Sequence, residues 1–232
     1  MLKLYIGNKN YSSWSMRPWV LLKAFDIPFE EVKLRFDFTP GSSFYQALAE
    51  IAPVSSVPLL VEADGLVVWD SLAIVEYLAE QYPEQAIWPP ERHARAKARS
   101  LCAEMHAGFH RLRQACPMNI DADLSAVGRD LLASNEGLQQ DLARIEQLWN
   151  DALRHSGGPF LFGQFGAVDA YFAPMVMRIS RYGLPLEGQA KAYLESVQSH
   201  ASVAAWVADA VAEKDFLDFE EPYRKAPADR NI

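Results

Sequence analysis

The sequence has few cysteines, and this shortage excludes several classes of protein. Two of its 232 residues are cysteine, and neither Cys102 nor Cys116 belongs to a C-x-x-C pair or to zinc-ligand spacing. We therefore expect no disulfide framework and no structural metal. His106 and His110 form an i, i+4 pair, but the pattern supplies no third ligand, so we predict no metal site there either. Both thiols are expected to be buried and free.

Long apolar runs and excess positive charge are also missing. No stretch approaches the ~20 apolar residues of a membrane span, and no signal-peptide or transit pattern precedes the first predicted strand. We therefore expect no membrane partner and a cytoplasmic location. Lys and Arg number 22 against 30 Asp and Glu, a net charge of −8, which argues against nucleic acid as a partner. The 50% of hydrophobic residues is ample for a buried core.

The richest pattern in the sequence lies in residues 52–78. Val57-Pro58 precedes an apolar strand, an Asp-Gly hairpin turn leads into a second strand, and Asp70-Ser71 opens a helix. Because X-Pro adopts cis at modest cost and Pro gives no amide to a sheet, we expect a cis bond that turns the Val57 backbone toward an extended ligand. The helix start offers N–H groups and a hydroxyl to a carboxylate. Together these features predict a peptide-shaped site.

The first half of the chain reads as a mixed α/β unit. Its order is strand, helix, strand, helix, two strands and helix, and a stretch with three prolines in nine residues, Tyr82–Pro90, marks a boundary. We predict domains at 1–82 and 91–232 with a linker at 83–90. The predicted elements before the hairpin are a strand at Leu2–Ile6, a helix at Met16–Phe25 with Pro18 in its first turn, a strand at Phe29–Leu34 and a helix at Phe44–Ile51.

The second half is predicted to be entirely helical. Apolar residues at helical spacing over 94–112 and 138–149 predict two long helices that pack as an antiparallel pair, with a turn at Pro117. Shorter helices follow from Ala167 to about Gly183, at 190–198 and at 203–212, before a polar tail that we expect to be loose. Gly166 is predicted to cap the helix at Ala167, with Asp169 accepting an amide near its start.

This order of elements resembles the cytosolic glutathione S-transferases. The resemblance is strong over residues 1–85 and rests on architecture alone after 90. It implies an N-terminal α/β domain with a thioredoxin-like fold, followed by an all-α domain that holds the acceptor substrate. It also implies glutathione as co-substrate, an electrophilic small molecule as second substrate, a homodimer and a role in detoxification.

The loop before the first helix carries the predicted chemistry. Its Ser-Ser-x-Ser-x-Arg arrangement is similar to the zeta-class motif Ser-Ser-Cys-Ser-Trp-Arg. This resemblance places the catalytic serine at Ser12, with Ser13 beside it as the second candidate, and Trp14 in place of the motif cysteine. Without that cysteine, thiol–disulfide exchange at this loop lacks its nucleophile. Ser15 reads as a helix cap. The sequence leaves open which of the two serines acts.

The resemblance also implies the residues that bind the substrates. The Val57 backbone and Pro58 would hold the cysteinyl part of glutathione, and Ser71 and Asp70 would bind the γ-glutamyl carboxylate and ammonium. His106, Phe109 and Asn119 are candidates for an acceptor pocket. Two alternatives remain beside the transferase: a zeta-like glutathione-dependent cis–trans isomerase of the maleylacetoacetate type, and a non-catalytic binding protein that keeps the fold.

Overall fold

The computed structural model describes residues 1–229 and begins with a four-stranded sheet in the order β2-β1-β3-β4. The central strand β1 pairs parallel with β2 and antiparallel with β3, and β3 pairs antiparallel with β4 across the predicted Asp-Gly turn. Alternate residues of β1 are buried, as a strand with one covered face requires. The strands are Leu2–Ile6, Phe29–Lys33, Leu59–Val61 and Val67–Val68.

Three helices belong to this sheet domain: α1 (Ser13–Ala24), α2 (Ser43–Ile51) and α3 (Ser71–Gln81). Helix α1 packs on α3 and also on two helices of the second half, so nearly all of its first ten residues are buried. It begins three residues earlier than predicted, which puts Pro18 in the second turn rather than the first. Ser15 therefore lies inside α1 and not at its cap, and its Oγ accepts from the Gly7 N–H at 3.2 Å.

The rest of the described chain is helical, as predicted, except for the connections between helices and the segment after α10. The fold class, a mixed α/β domain followed by a helical domain, is confirmed. The domain limits remain predictions, and residues 230–232 of the second lie outside the described residues. The helices are α4 (Arg92–Ala107), α5 (His110–Ala115), α6 (Ser125–Ser134), α7 (Glu136–Ser156), α8 (Ala167–Arg181), α9 (Gly188–Ser199) and α10 (Ala201–Glu213).

The predicted helix over 94–112 is two helices. Phe109 adopts the left-handed region with φ 57°, which ends α4 and starts α5 in a new direction. The predicted pairing of the two long helices also changes, because α4 packs mainly on α8, whereas α7 packs on α5 and α9. Helix α6 was not predicted from the sequence.

Helix α8 is the centre of the helical domain. Every residue from Ala167 to Ile179 is buried, and the helix contacts α1, α4 and α9. Its start is capped as predicted: the Asp169 carboxylate accepts from the Gly166 N–H at 2.9 Å and from the Leu161 N–H at 3.2 Å. Burial nevertheless raises the pKa of Asp169 to about 6, and the residue is structural.

The tail after α10 is packed as far as Arg224, so the prediction of a loose tail is wrong for this part of the described chain. Leu217, Glu221 and Arg224 are buried, and the Glu221 carboxylate accepts from the Tyr11 hydroxyl at 2.6 Å and from Asn119 Nδ2 at 2.7 Å. A polar segment is ordered here because its charges find partners on the sheet domain, about 200 residues away in sequence.

Both cysteines are buried and free, as predicted. Among residues 1–229, no helix is long and apolar enough to cross a membrane. The same residues contain no group of three or more His, Cys, Asp or Glu side chains that is placed to share a metal ion.

Gly128 of α6 provides a test of the helical packing. A Cβ at this position would lie 1.8 Å from the Tyr182 carbonyl oxygen, whereas a Cβ at Gly137 of α7 would meet the flexible Arg111 side chain at 2.8 Å. We expect Gly128→Ala to lower the free energy of unfolding by about 1–3 kcal/mol. Gly137→Ala, the comparison, should cost less, because a side chain can move aside more readily than a backbone carbonyl and alanine gains helix propensity. Urea unfolding measures both, and equal effects would contradict this packing.

Candidate functional site

The site lies in a cleft between the sheet domain and the helical domain. Its cavity is about 350 Å³, and both domains line it. The loop before α1, the segment before β3 and the aromatic residues after β2 supply one wall, and α5, α8 and the C-terminal segment supply the other. The lining residues are Tyr11, Ser12, Ser13, Trp14, Phe36, Phe38, Phe44, Ser55, Ser56, Val57, Arg113, Pro117, Met118, Arg178 and Glu220.

Three of the predicted glutathione residues meet in this cavity. Ser12 is the residue before α1 and Ser13 is its first residue, and Val57 faces them from the loop that ends in a cis Val57-Pro58 bond. The two serines are 4% and 8% exposed, so a ligand group that reaches them is largely shielded from water. The helix N-terminus adds positive potential at the same point.

The other three predicted glutathione residues, Pro58, Asp70 and Ser71, do not line the cavity. Ser71 is 1% exposed, and its Oγ lies 3.0 Å from the Tyr171 hydroxyl of α8. Asp70 caps α3 by accepting from the Leu72 N–H at 2.7 Å, and its other oxygen lies 3.5 Å from His106 Nε2. The Ser71 hydroxyl is therefore engaged inside the protein.

The three predicted acceptor residues, His106, Phe109 and Asn119, also lie outside the cavity lining. Phe109 is buried because its left-handed conformation turns it into the core between α4 and α5. Asn119 is buried between Asn10 and Glu221. His106 packs edge-on against Trp14, with ring centroids 5.1 Å apart. Their neighbours in sequence, Arg113 and Met118, occupy the cavity wall instead.

Sequence reasoning missed the charged residues of the cleft. Arg178 is buried on α8, and its Nη1 donates to the Cys116 carbonyl at 2.6 Å while Nη2 donates to Ser13 Oγ at 3.2 Å. Arg178 is the only basic residue in the mostly apolar run Ala167–Ile179, and this is the signal that could have found it. Arg113 and Glu220 carry no comparable signal, because charged residues are common in the segments around them.

Burial shapes the electrostatics of the cleft. It lowers the pKa of Arg178 to about 10, and the nearby charge of Arg113 acts in the same direction. Arg17 of α1 is also fully buried, with a pKa lowered by burial to about 10, and its guanidinium lies between the rings of Trp14 and Tyr171 at 4.2 and 4.5 Å. Burial raises the pKa of Glu220, against the opposing charge of Arg178. The cleft thus concentrates positive charge in a chain of net charge −8.

This geometry, a thioredoxin-like domain joined across a serine-lined cleft to a helical domain, defines the glutathione transferase class of protein. The glutathione S-transferase N-terminal domain model matches residues 11–81, and the corresponding C-terminal domain model matches residues 110–209. The two models together cover more than two thirds of the chain. The chain belongs to the glutathione S-transferase family, and the predicted assignment to its enzymes is confirmed.

Individual relatives agree with this assignment. The chain is 29% identical over 191 residues to a maleylacetoacetate isomerase of Pseudomonas aeruginosa, covering 80% of this chain and 85% of the relative. A glutathione transferase homolog from Burkholderia gl BGR1, solved with bound glutathione, is 26% identical with a TM-score of 0.61, covering 90% of this chain and 97% of the other. A maleylacetoacetate isomerase from Anaeromyxobacter dehalogenans 2CP-1, with glutathione in its active site, is 26% identical with a TM-score of 0.62, covering 89% and 94%.

The Ser71–Tyr171 contact generates a prediction about stability. Removing either hydroxyl leaves the other buried without its partner, so Ser71→Ala and Tyr171→Phe should each lower the free energy of unfolding by about 1–3 kcal/mol. The double variant should cost clearly less than the sum, since no orphaned hydroxyl remains. Urea unfolding of the four proteins closes this cycle, and additive losses would show that the two hydroxyls do not interact.

Proposed function

We propose that this chain binds glutathione in the cleft between its domains, stabilises the thiolate and transfers it to an electrophilic small molecule. The observation that carries the proposal is the meeting of Ser12, Ser13 and Val57 in one largely buried cavity. The glutathione bound to two similar solved structures supports it. A cytoplasmic location and a role in detoxification belong to the same proposal.

Glutathione would lie across the sheet domain with its thiol toward the serines. The Val57 backbone would pair with the cysteinyl part in an extended arrangement. The γ-glutamyl end would reach the start of α3, where half-exposed Asp70 suits the ammonium group. Because the Ser71 hydroxyl is engaged with Tyr171, the carboxylate there would depend on backbone N–H groups at the helix start.

The reaction needs the thiol as its anion. A free thiol has a pKa near 8.5, and a serine hydroxyl together with the positive end of α1 would lower this value for the bound molecule. The thiol proton leaves to solvent, the sulfur forms a bond to the electrophilic carbon of the acceptor, and the leaving group departs with its bonding electrons.

A second candidate is a glutathione-dependent cis–trans isomerase. In this reaction the thiolate adds to one carbon of a conjugated double bond, the resulting single bond rotates, and elimination expels the thiolate unchanged. Two observations favour it. Several relatives are named maleylacetoacetate isomerase, and Arg113 and Arg178 line the cavity beside the serines, where a carboxylate on the acceptor would find a cation.

The test of function is turnover with glutathione of an aryl halide, an epoxide and a maleyl compound. A transferase conjugates one or more of these, an isomerase returns the trans product with glutathione unconsumed, and a non-catalytic binding protein turns over none. Calorimetric titration with glutathione separates the last outcome from a protein that does not bind glutathione at all.

Arg113 offers a prediction about acceptor charge. Replacing it by Met removes a cation from the cavity wall but leaves the serines in place. If the acceptor carries a carboxylate near Arg113, kcat/KM for the maleyl compound should fall about 10- to 100-fold, the effect of losing one charge-assisted hydrogen bond. The neutral aryl halide is the internal control and should change little. Equal losses with both acceptors would indicate that Arg113 acts on the fold or on glutathione instead.

We also propose a homodimer. Phe44 is buried within the protomer, whereas Trp69 is 51% exposed and its neighbour Leu66 is 48% exposed. Exposed apolar residues of this size suit an interface.

Light scattering at micromolar concentration should therefore give about twice the 26.1 kDa chain mass. Trp69→Glu should shift the protein toward the single mass, and Val211→Glu, on the exposed side of α10, should not. A parent protein at the single mass would refute the dimer.

A further inference from the structure

The two serines of the cleft differ in what their hydroxyl groups already do. The Ser12 hydroxyl donates to Ser15 Oγ at 2.7 Å, and Ser15 Oγ also accepts from the Gly7 N–H at 3.2 Å. These bonds tie the end of β1 to the first turn of α1. The Ser12 hydroxyl proton is therefore already used in the hydrogen bond to Ser15 that fixes the loop.

The Ser13 hydroxyl, in contrast, acts as an acceptor within the protein. Its oxygen accepts a hydrogen bond from Arg178 Nη2 at 3.2 Å, and an oxygen that accepts keeps its own O–H available as a donor. Ser13 lines the cavity that also contains Val57. A bond from a charged guanidinium further polarises the hydroxyl, which makes it a stronger donor to an anion.

The Arg178 guanidinium is fixed by hydrogen bonds but has no carboxylate partner among residues 1–229. Its Nη1 donates to the Cys116 carbonyl at 2.6 Å, so both ends of the guanidinium are fixed. Within residues 1–229 no carboxylate forms an ion pair with it. A buried charge that lacks a direct counter-ion favours an anion in the adjoining cavity.

We propose that Arg178 is the positioning residue that selects Ser13, and not Ser12, as the hydroxyl that stabilises the bound glutathione thiolate. This inference rests on the proposed function. The Ser13 O–H donates a hydrogen bond to the sulfur and keeps its proton, and the thiol proton leaves to solvent, so no group in the protein changes its charge. Arg178 acts through Ser13 and adds its own positive potential.

Other charged and titratable groups surround this pair. Two are cations, Arg17 of α1 and Arg113 of α5. Glu220 lies in the C-terminal segment, and Tyr11, whose phenol is bound to Glu221, lies in the loop before α1. The Cys116 thiol lies beside Arg178. Burial raises the pKa of the Cys116 thiol to about 12 and also raises the pKa of the Tyr11 phenol. Both therefore stay neutral over the range in which a glutathione thiol ionises, and the arginines stay charged.

The experiment is an ultraviolet titration of the thiolate of bound glutathione against pH, with Ser12→Ala and Ser13→Ala as a matched pair. Ser13→Ala should raise the thiol pKa by about one to two units, the value of one hydrogen bond to an anion. Ser12→Ala should leave it within about 0.3 units, although it lowers the melting temperature by loosening the loop. Ser13→Thr should restore most of the shift, because it returns a hydroxyl to the same place.

Arg178 is tested in the same titration. Arg178→Lys retains the charge but not both hydrogen bonds, so the thiol pKa should fall between those of the parent and Ser13→Ala. Arg178→Met should raise the pKa at least as far as Ser13→Ala. In both variants kcat at pH 6.5 should fall while the Kd of glutathione changes less than threefold, a split that a general loss of folding would not produce.

The outcomes against the proposal are specific. A shift in Ser12→Ala without one in Ser13→Ala, or equal shifts in both, overturns the assignment of Ser13. Parent-like titration of folded Arg178→Lys and Arg178→Met overturns the role of Arg178. Parent protein that neither binds glutathione nor turns over any acceptor refutes the proposed function itself, which is a different result from an active parent whose serine variants fail to separate.

Discussion

The cleft depends on one buried carboxylate at the far end of the chain. Glu221 accepts from the Tyr11 hydroxyl, from Asn119 Nδ2 and from Arg224 Nε, and so joins the loop before α1, the segment after α5 and the C-terminal segment. Asn10 extends the network, because its Oδ1 accepts from the backbone N–H groups of Ile120 and Asp121. The loop that presents Ser12 and Ser13 is thus fixed by the hydrogen bonds of Tyr11 and Asn10 together with the apolar packing of the Tyr11 ring.

Such a network is effective only when it is complete. Removing one partner of a buried ionic group leaves uncompensated charge, which typically costs 3–5 kcal/mol. The cleft is therefore sensitive to the loss of any one partner of Glu221. Burial of α1 and α8 stabilises the two domains. The polar network determines the position of the serine loop between them.

Local signals in the sequence predicted the sheet domain well. The Asp-Gly turn, the proline before β3 and the acid-Ser pair at α3 each act within a few residues, and each feature is found where it was predicted. The misses are of another kind. The break at Phe109 interrupts an apolar stripe that continues in register, and the Ser71 hydroxyl is taken by Tyr171, one hundred residues away. The packed tail likewise depends on partners about two hundred residues distant. Local sequence patterns do not reveal contacts between residues that lie one to two hundred positions apart.

The packed tail also has a consequence for the order of events during synthesis. A chain emerging from the ribosome can build the sheet domain early, since β1 to α3 are complete by Gln81, and domains generally fold as they emerge. The bonds to Tyr11 and Asn119, however, require Glu221. The nascent protein would therefore carry an unfinished cleft until the segment around Glu221 is released. Binding competence would then arise in one late step, after translation has passed residue 221, and premature termination in the tail would yield a folded protein with a misplaced serine loop.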